Sequence, residues 1–87
     1  MNHVRFFDGD ISPEYFNLVY HDKIVSVDLE TSGLDWSKDK IAICQLHSHR
    51  AGVAVVKIDQ KAPALISDLI SSRTIKKIFH FAVFDLR

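Results

Sequence analysis

Asp28 and Glu30 stand one residue apart in Ile24-Val25-Ser26-Val27-Asp28-Leu29-Glu30, an apolar, β-branched run without glycine or proline. Such a run is a strand by composition. Strand side chains alternate between faces, so Val25, Val27 and Leu29 point one way and Ser26, Asp28 and Glu30 the other. At about 3.3 Å of rise per residue, the two acidic Cα atoms lie roughly 6–7 Å apart. Their like charges repel, and a strand this apolar is expected to be central and partly desolvated, which makes both ions costly. A divalent cation held by oxygen ligands offsets that cost. An edge strand whose acids face water accounts for the pair equally well, so the strand alone leaves both readings open.

The flanking residues favour the first reading. Asp28-Leu29-Glu30-Thr31-Ser32-Gly33-Leu34 resembles the first motif of the DEDD 3′–5′ exonucleases, in which a strand ends in Asp-x-Glu and Thr, Gly and Leu follow. Lys76-Lys77-Ile78-Phe79-His80-Phe81-Ala82-Val83-Phe84-Asp85-Leu86 resembles their second motif in its ribonuclease D-like form, where an aromatic-Asp pair follows a His at this spacing. The two motifs occur in the family's order, and the resemblance runs from about Val4 to the end of the chain. It covers the first half of such a domain. The third motif, a Tyr or His followed by a final Asp, has no counterpart before Arg87.

This resemblance implies a ribonuclease H-like α/β fold with a mixed sheet, its antiparallel first strands joined by a parallel one and its last helices and strand missing. It implies two-metal hydrolysis of phosphodiester bonds with Mg²⁺ or Mn²⁺. Asp28 would bridge both metals, Glu30 would bind the metal that orients the nucleophile, and Asp85 would act on the second metal. Hard divalent cations suit such carboxylate oxygens, and a metal pair about 3.5–4 Å apart stabilises both the attacking and the leaving oxygen. Thr31 matches the position that meets the terminal 3′-OH, and Leu34 matches the apolar wedge between the last two bases. Leu34 could equally anchor a turn. His80 could contact the scissile end or be a structural histidine satisfied by backbone. The expected ligand is a nucleic-acid 3′ end, with RNA favoured. A non-catalytic nucleic-acid-binding remnant of such an enzyme is the alternative, since a fourth carboxylate and a base are lacking.

The other reactive side chains carry weaker signals. Gln45 could face the cleft beside Asp28, though mid-strand glutamine is common. His47 and His49 form a pair at a hairpin end, where exposure is the simpler explanation, and His3 and His21 have no partner at metal-ligand spacing. Phe84 reads as a core residue. Lys76-Lys77 reads as a solvated charged pair, with contact to a phosphate backbone as the other possibility. Cys44 is the single cysteine. It excludes an internal disulfide and, inside a predicted strand, reads as a buried, inert thiol.

Composition bounds these readings. The 87 residues suit one small domain, and the 47% hydrophobic content argues for a folded chain. Eleven basic residues balance eleven acidic ones, so no broad electrostatic pull draws in a polyanion. Local cations or metal ions must do so. No apolar stretch approaches the ~20 residues of a membrane span, and no signal peptide opens the chain, so a cytoplasmic protein is expected.

The elements that must position the acids are short. Val4 to Phe7 reads as a strand ended by Asp8-Gly9-Asp10, and Ser12-Pro13-Glu14 starts a helix with Ser as N-cap. Ile41 to His47 and Val53 to Ile58 read as strands joined by a tight turn. Pro63 opens a helix with an apolar stripe of Leu65, Ile66, Leu69 and Ile70. Ile75 to Phe79 reads as a strand, with a helix beginning at Phe81 that would carry Asp85. That strand would have an open edge. Pairing with a second copy, or with a complementary chain supplying the missing half, is therefore expected to cover it.

Overall fold

The computed structural model describes residues 4–31, 42–58 and 62–83. Its elements run β1 (Val4–Asp8), α1 (Pro13–Asp22), β2 (Ile24–Thr31), β3 (Ala42–Ser48), β4 (Gly52–Ile58), α2 (Ala64–Ser71) and β5 (Lys76–Val83). The strands form a five-stranded sheet in the order β1-β4-β3-β2-β5. β3 pairs antiparallel with β2 and with β4, whereas β1 joins β4, and β5 joins β2, in parallel. The acidic strand β2 thus has a neighbour on each side, which removes the edge-strand reading of Asp28 and Glu30.

Both helices cover one face of this sheet. Tyr15 and Val19 of α1 and Ile66 and Leu69 of α2 pack with Val25, Val27, Cys44, Leu46, Ala54 and Val56 in a single buried core. Burying each large aliphatic side chain there contributes roughly 1.5–3 kcal/mol. Ser12 caps α1, its Oγ accepting from the Tyr15 N–H at 3.1 Å, and Pro13 occupies the first turn. Lys23 turns the chain from α1 into β2 in one residue by adopting φ 62°, and its N–H donates to the Val19 carbonyl. The Tyr15 hydroxyl donates to the Gly52 carbonyl at 2.7 Å and fastens α1 over the β3–β4 hairpin. Burial pushes this phenol well above its ordinary pKa.

The α2 N-terminus is capped from a distance. Pro63 at the N-cap offers no side-chain acceptor, and Asp10 supplies one. Its Oδ2 accepts from Leu65 N at 2.7 Å and its Oδ1 from Ile66 N at 3.1 Å. At the other end, Lys77 Nζ donates to the carbonyls of Ile70 and Ser72. The expected solvated Lys76-Lys77 pair is therefore half wrong: Lys77 is a helix C-terminal cation, favourable against the helix dipole. Of the expected α2 stripe, Ile66 and Leu69 are buried, while Ile70 is 39% exposed at its margin.

The end of the chain departs further from expectation. No helix begins at Phe81, because Phe81, Ala82 and Val83 continue β5 in register with Leu29, Glu30 and Thr31. The reason is pairing: β2 runs eight residues and offers a full parallel ladder, which β5 matches residue for residue. β5 is an edge of the sheet, as expected.

Candidate active site at the acidic end of the sheet

Alternation along β2 sends Val25 and Val27 into the helix-covered core and leaves Asp28 and Glu30 half-buried on the opposite, open face. The register then gives Asp28 its neighbours. Gln45 lies opposite on β3, and His80 lies beside it on β5. Extended outward through Val55 to Phe6, this row crosses the whole sheet as Phe6-Val55-Gln45-Asp28-His80. Glu30 is flanked differently, by Ile43 on one side and Ala82 on the other. Gln45 and His80 are both exposed.

Among the described residues, the ion pair recorded joins Arg50 to Asp22 at 3.5 Å, far from this row, so neither Asp28 nor Glu30 is neutralised by a described basic side chain. Lys57 is in register with Ile43, which separates it from Glu30 by one strand. Two hard oxygen donors without a described counter-charge suit a divalent cation better than a salt bridge does. Among the described residues, no group of three or more His, Cys, Asp or Glu side chains is placed to hold a metal. On the covered face below, burial first and the Asp28 charge second push the Cys44 thiol up to about 11. Cys44 is buried, as expected, and a raised pKa disfavours the reactive thiolate.

The remaining candidates divide cleanly. Thr31 is the last residue of β2, in register with Val83 and Ala42, at the same end of the sheet as Glu30. Asp85 and Leu34 lie outside the described residues, as does Phe84. The structure thus brings together Asp28, Glu30 and His80, with Thr31 at the strand terminus. Gln45 lies beside Asp28, as the first of its two sequence readings has it, and gains weight because its cross-strand partner is now known. His47 and His49 are exposed at the hairpin, as expected. No helix among the described residues is long and apolar enough to cross a membrane.

Comparison with functionally curated proteins returns no match. Solved structures do match. A chain described as the apo form of a nuclease superposes at TM-score 0.75 with 28% identity, over 92% of this chain and 39% of its own. Brucella melitensis NrnC bound to pGG gives TM-score 0.72 and 28% identity, again over 92% and 39%. The same protein with bound Mg²⁺ gives 0.67 and 31%, over 92% and 39%. The chain therefore spans about two fifths of the length of these neighbours. A family model described as 3′-5′ exonuclease matches residues 5–87, nearly the whole sequence and both acidic motifs. On that match, the chain belongs to the 3′-5′ exonuclease family.

Proposed function

We propose that this chain is the N-terminal part of a metal-dependent 3′–5′ exonuclease that removes nucleotides from nucleic-acid 3′ ends, RNA in preference. The observation that carries this reading is the pair of half-buried carboxylates, Asp28 and Glu30, on the open face of a family-matched sheet. Asp28, Glu30 and Asp85 are the proposed metal ligands, with Mg²⁺ or Mn²⁺ as the ion. The binding of Mg²⁺ by a similar nuclease supports that choice of metal. When bound, the ion supplies positive charge for a leaving oxygen and lowers the pKa of coordinated water. The chain's own residues hold it and present the substrate. The two β2 carboxylates supply its anionic ligands, and His80 borders Asp28 on the β5 side, where the 3′ end of a strand would lie. Thr31 and Leu34 are the proposed contacts to the terminal 3′-OH and the last bases. The pGG ligand of a similar nuclease supports a nucleic-acid end as substrate.

A partner is part of this proposal. β5 is an edge strand with Ile78 41% and Phe79 57% exposed. Unpaired backbone beside such side chains invites a further strand. A second copy, or a complementary chain, is the proposed occupant.

The test combines binding with turnover. Mn²⁺ titration should show binding that Asp28→Ala abolishes, and a 5′-labelled RNA should shorten from its 3′ end only with the metal present. Wild-type protein that takes up no Mn²⁺ defeats the metal reading. Binding without cleavage, even with a partner supplied, favours a non-catalytic nucleic-acid-binding remnant.

A further inference from the structure

Asp28 and Glu30 share a face, a strand and a charge, yet their surroundings differ in kind. Glu30 has Ile43 and Ala82 in register, neither of which can donate a hydrogen bond from its side chain. Asp28 has a carboxamide on one side and an imidazole on the other. Directly opposed residues of an antiparallel pair have Cβ atoms about 4.5–5.5 Å apart, within the reach of a glutamine side chain. Gln45 is exposed and in register with half-buried Asp28, and both side chains project from the open face. The two residues on either side of it in the chain, Cys44 and Leu46, are buried on the opposite face and fix the backbone that carries it.

We propose that Gln45 is a positioning residue for Asp28: its amide N–H₂ holds one carboxylate oxygen and orients the other toward a divalent cation. This rests on the metal reading above. The choice of an amide matters physically. A lysine or arginine at this position would pair with Asp28 and neutralise the charge that a cation needs, whereas an amide orients the carboxylate and leaves its charge intact. Groups that hydrogen-bond a metal ligand from behind typically govern affinity by 10–100-fold. Gln45 is neither a metal ligand nor a catalytic residue in this account. Its effect passes through Asp28.

The experiment is Mn²⁺ titration of the full chain, with the melting temperature of the metal-free protein recorded for each variant. Gln45→Leu should weaken Mn²⁺ binding about 10–100-fold and leave the metal-free melting temperature unchanged, since the side chain is exposed. Gln45→Lys should abolish binding as completely as Asp28→Ala, because the ammonium would occupy the carboxylate. Gln45→Asn, which keeps a donor on a shorter arm, should fall between wild type and Gln45→Leu. A Gln45→Leu affinity within twofold of wild type, with Asp28→Ala still inactive in binding, overturns the role of Gln45 alone. A Gln45→Lys protein that binds normally does the same. Absence of Mn²⁺ binding by the wild type overturns both this proposal and the reading beneath it.

Discussion

On the helix-covered face of the sheet, Val25, Val27, Cys44, Leu46, Ala54 and Val56 are all at most 3% exposed. The residues interleaved with them on the other face include Phe6 at 78% exposure, Gln45 and His47 in the open, and Asp28 and Glu30 half-buried. The same backbone thus carries a close-packed core and a polar, reactive surface, separated by the thickness of one sheet. The difference teaches where stability and chemistry reside. Packing on the covered face holds β2 and β3 in register, the parallel ladder with β2 aligns β5, and together they assemble the row around Asp28 on the open face. Loss of a core side chain should therefore unfold the site, whereas loss of an open-face side chain should change what the site binds and little else.

The largest effect is expected in the middle of the covered face. Leu46 is fully buried in β3, so Leu46→Ala should cost about 2–5 kcal/mol. Urea unfolding measures this, and a cost below about 1 kcal/mol would show that the covered face is loosely packed. In a domain of marginal stability, the variant should also lose the acidic site through unfolding.

A smaller loss follows at the margin of that face. Asp10→Ala leaves the Leu65 and Ile66 N–H groups of α2 without their acceptor. Loss of an N-terminal cap costs about 0.5–2 kcal/mol. Thermal unfolding of Asp10→Ala beside Asp10→Asn, which retains an acceptor, separates the cap from general effects of charge removal.

Acid should erode the covered face at a defined point. Burial tends to raise the Asp22 pKa. Hydrogen bonding from the Arg50 backbone N–H, with help from the Ala51 N–H and the Arg50 charge, outweighs it and holds the carboxyl below its ordinary 3.8. The Arg50 N–H donates to Oδ2 at 2.6 Å, while Ser48 Oγ sits nearby without a hydrogen bond of good geometry. A folded-state pKa below the unfolded one means that the unfolded chain binds protons more readily in acid. The stabilisation is therefore complete above about pH 3.8 and is lost as pH falls through the lower folded-state value. Urea midpoints measured between pH 5 and 2 should fall less steeply for Asp22→Asn than for wild type.

The smallest stability effect belongs to the open face. Phe6→Ser should change unfolding free energy by no more than about 0.5 kcal/mol, as for surface substitutions in general. A larger loss that also depends on protein concentration would mean that a second copy covers this face, and the contrast between faces would then hold only for the isolated chain.

Much of the site was legible in the sequence, though unevenly. The strand at Ile24 to Glu30, the buried Cys44, the Ser12–Pro13 helix start and the edge position of β5 were all read correctly. The helix expected at Phe81 was misread. Ile78 to Val83 carries no local signal that distinguishes a longer strand from a strand followed by a helix, and its fate depends on β2 offering a partner for every residue. The turn at Asp8-Gly9-Asp10 ends β1 as expected, but the cap that Asp10 lends to α2 and the C-terminal role of Lys77 have no local signal. A charged residue looks solvated until a distant helix end is brought against it.

What the sequence determined by itself is the division of β2 into an apolar side and an acidic side. That follows from the two-residue period of an extended chain, a covalent property that needs no partner. It likewise determined that Ser12 and Pro13 begin a helix, because cap and φ restriction act within one turn. Only the tertiary structure decided that Asp28 has Gln45 and His80 as neighbours, while Glu30 has Ile43 and Ala82. Those pairings join residues up to 52 positions apart. Between β2 and β3 the register is set by side chains packing on the far face of the sheet, where a slip of one residue would turn every apolar side chain outward.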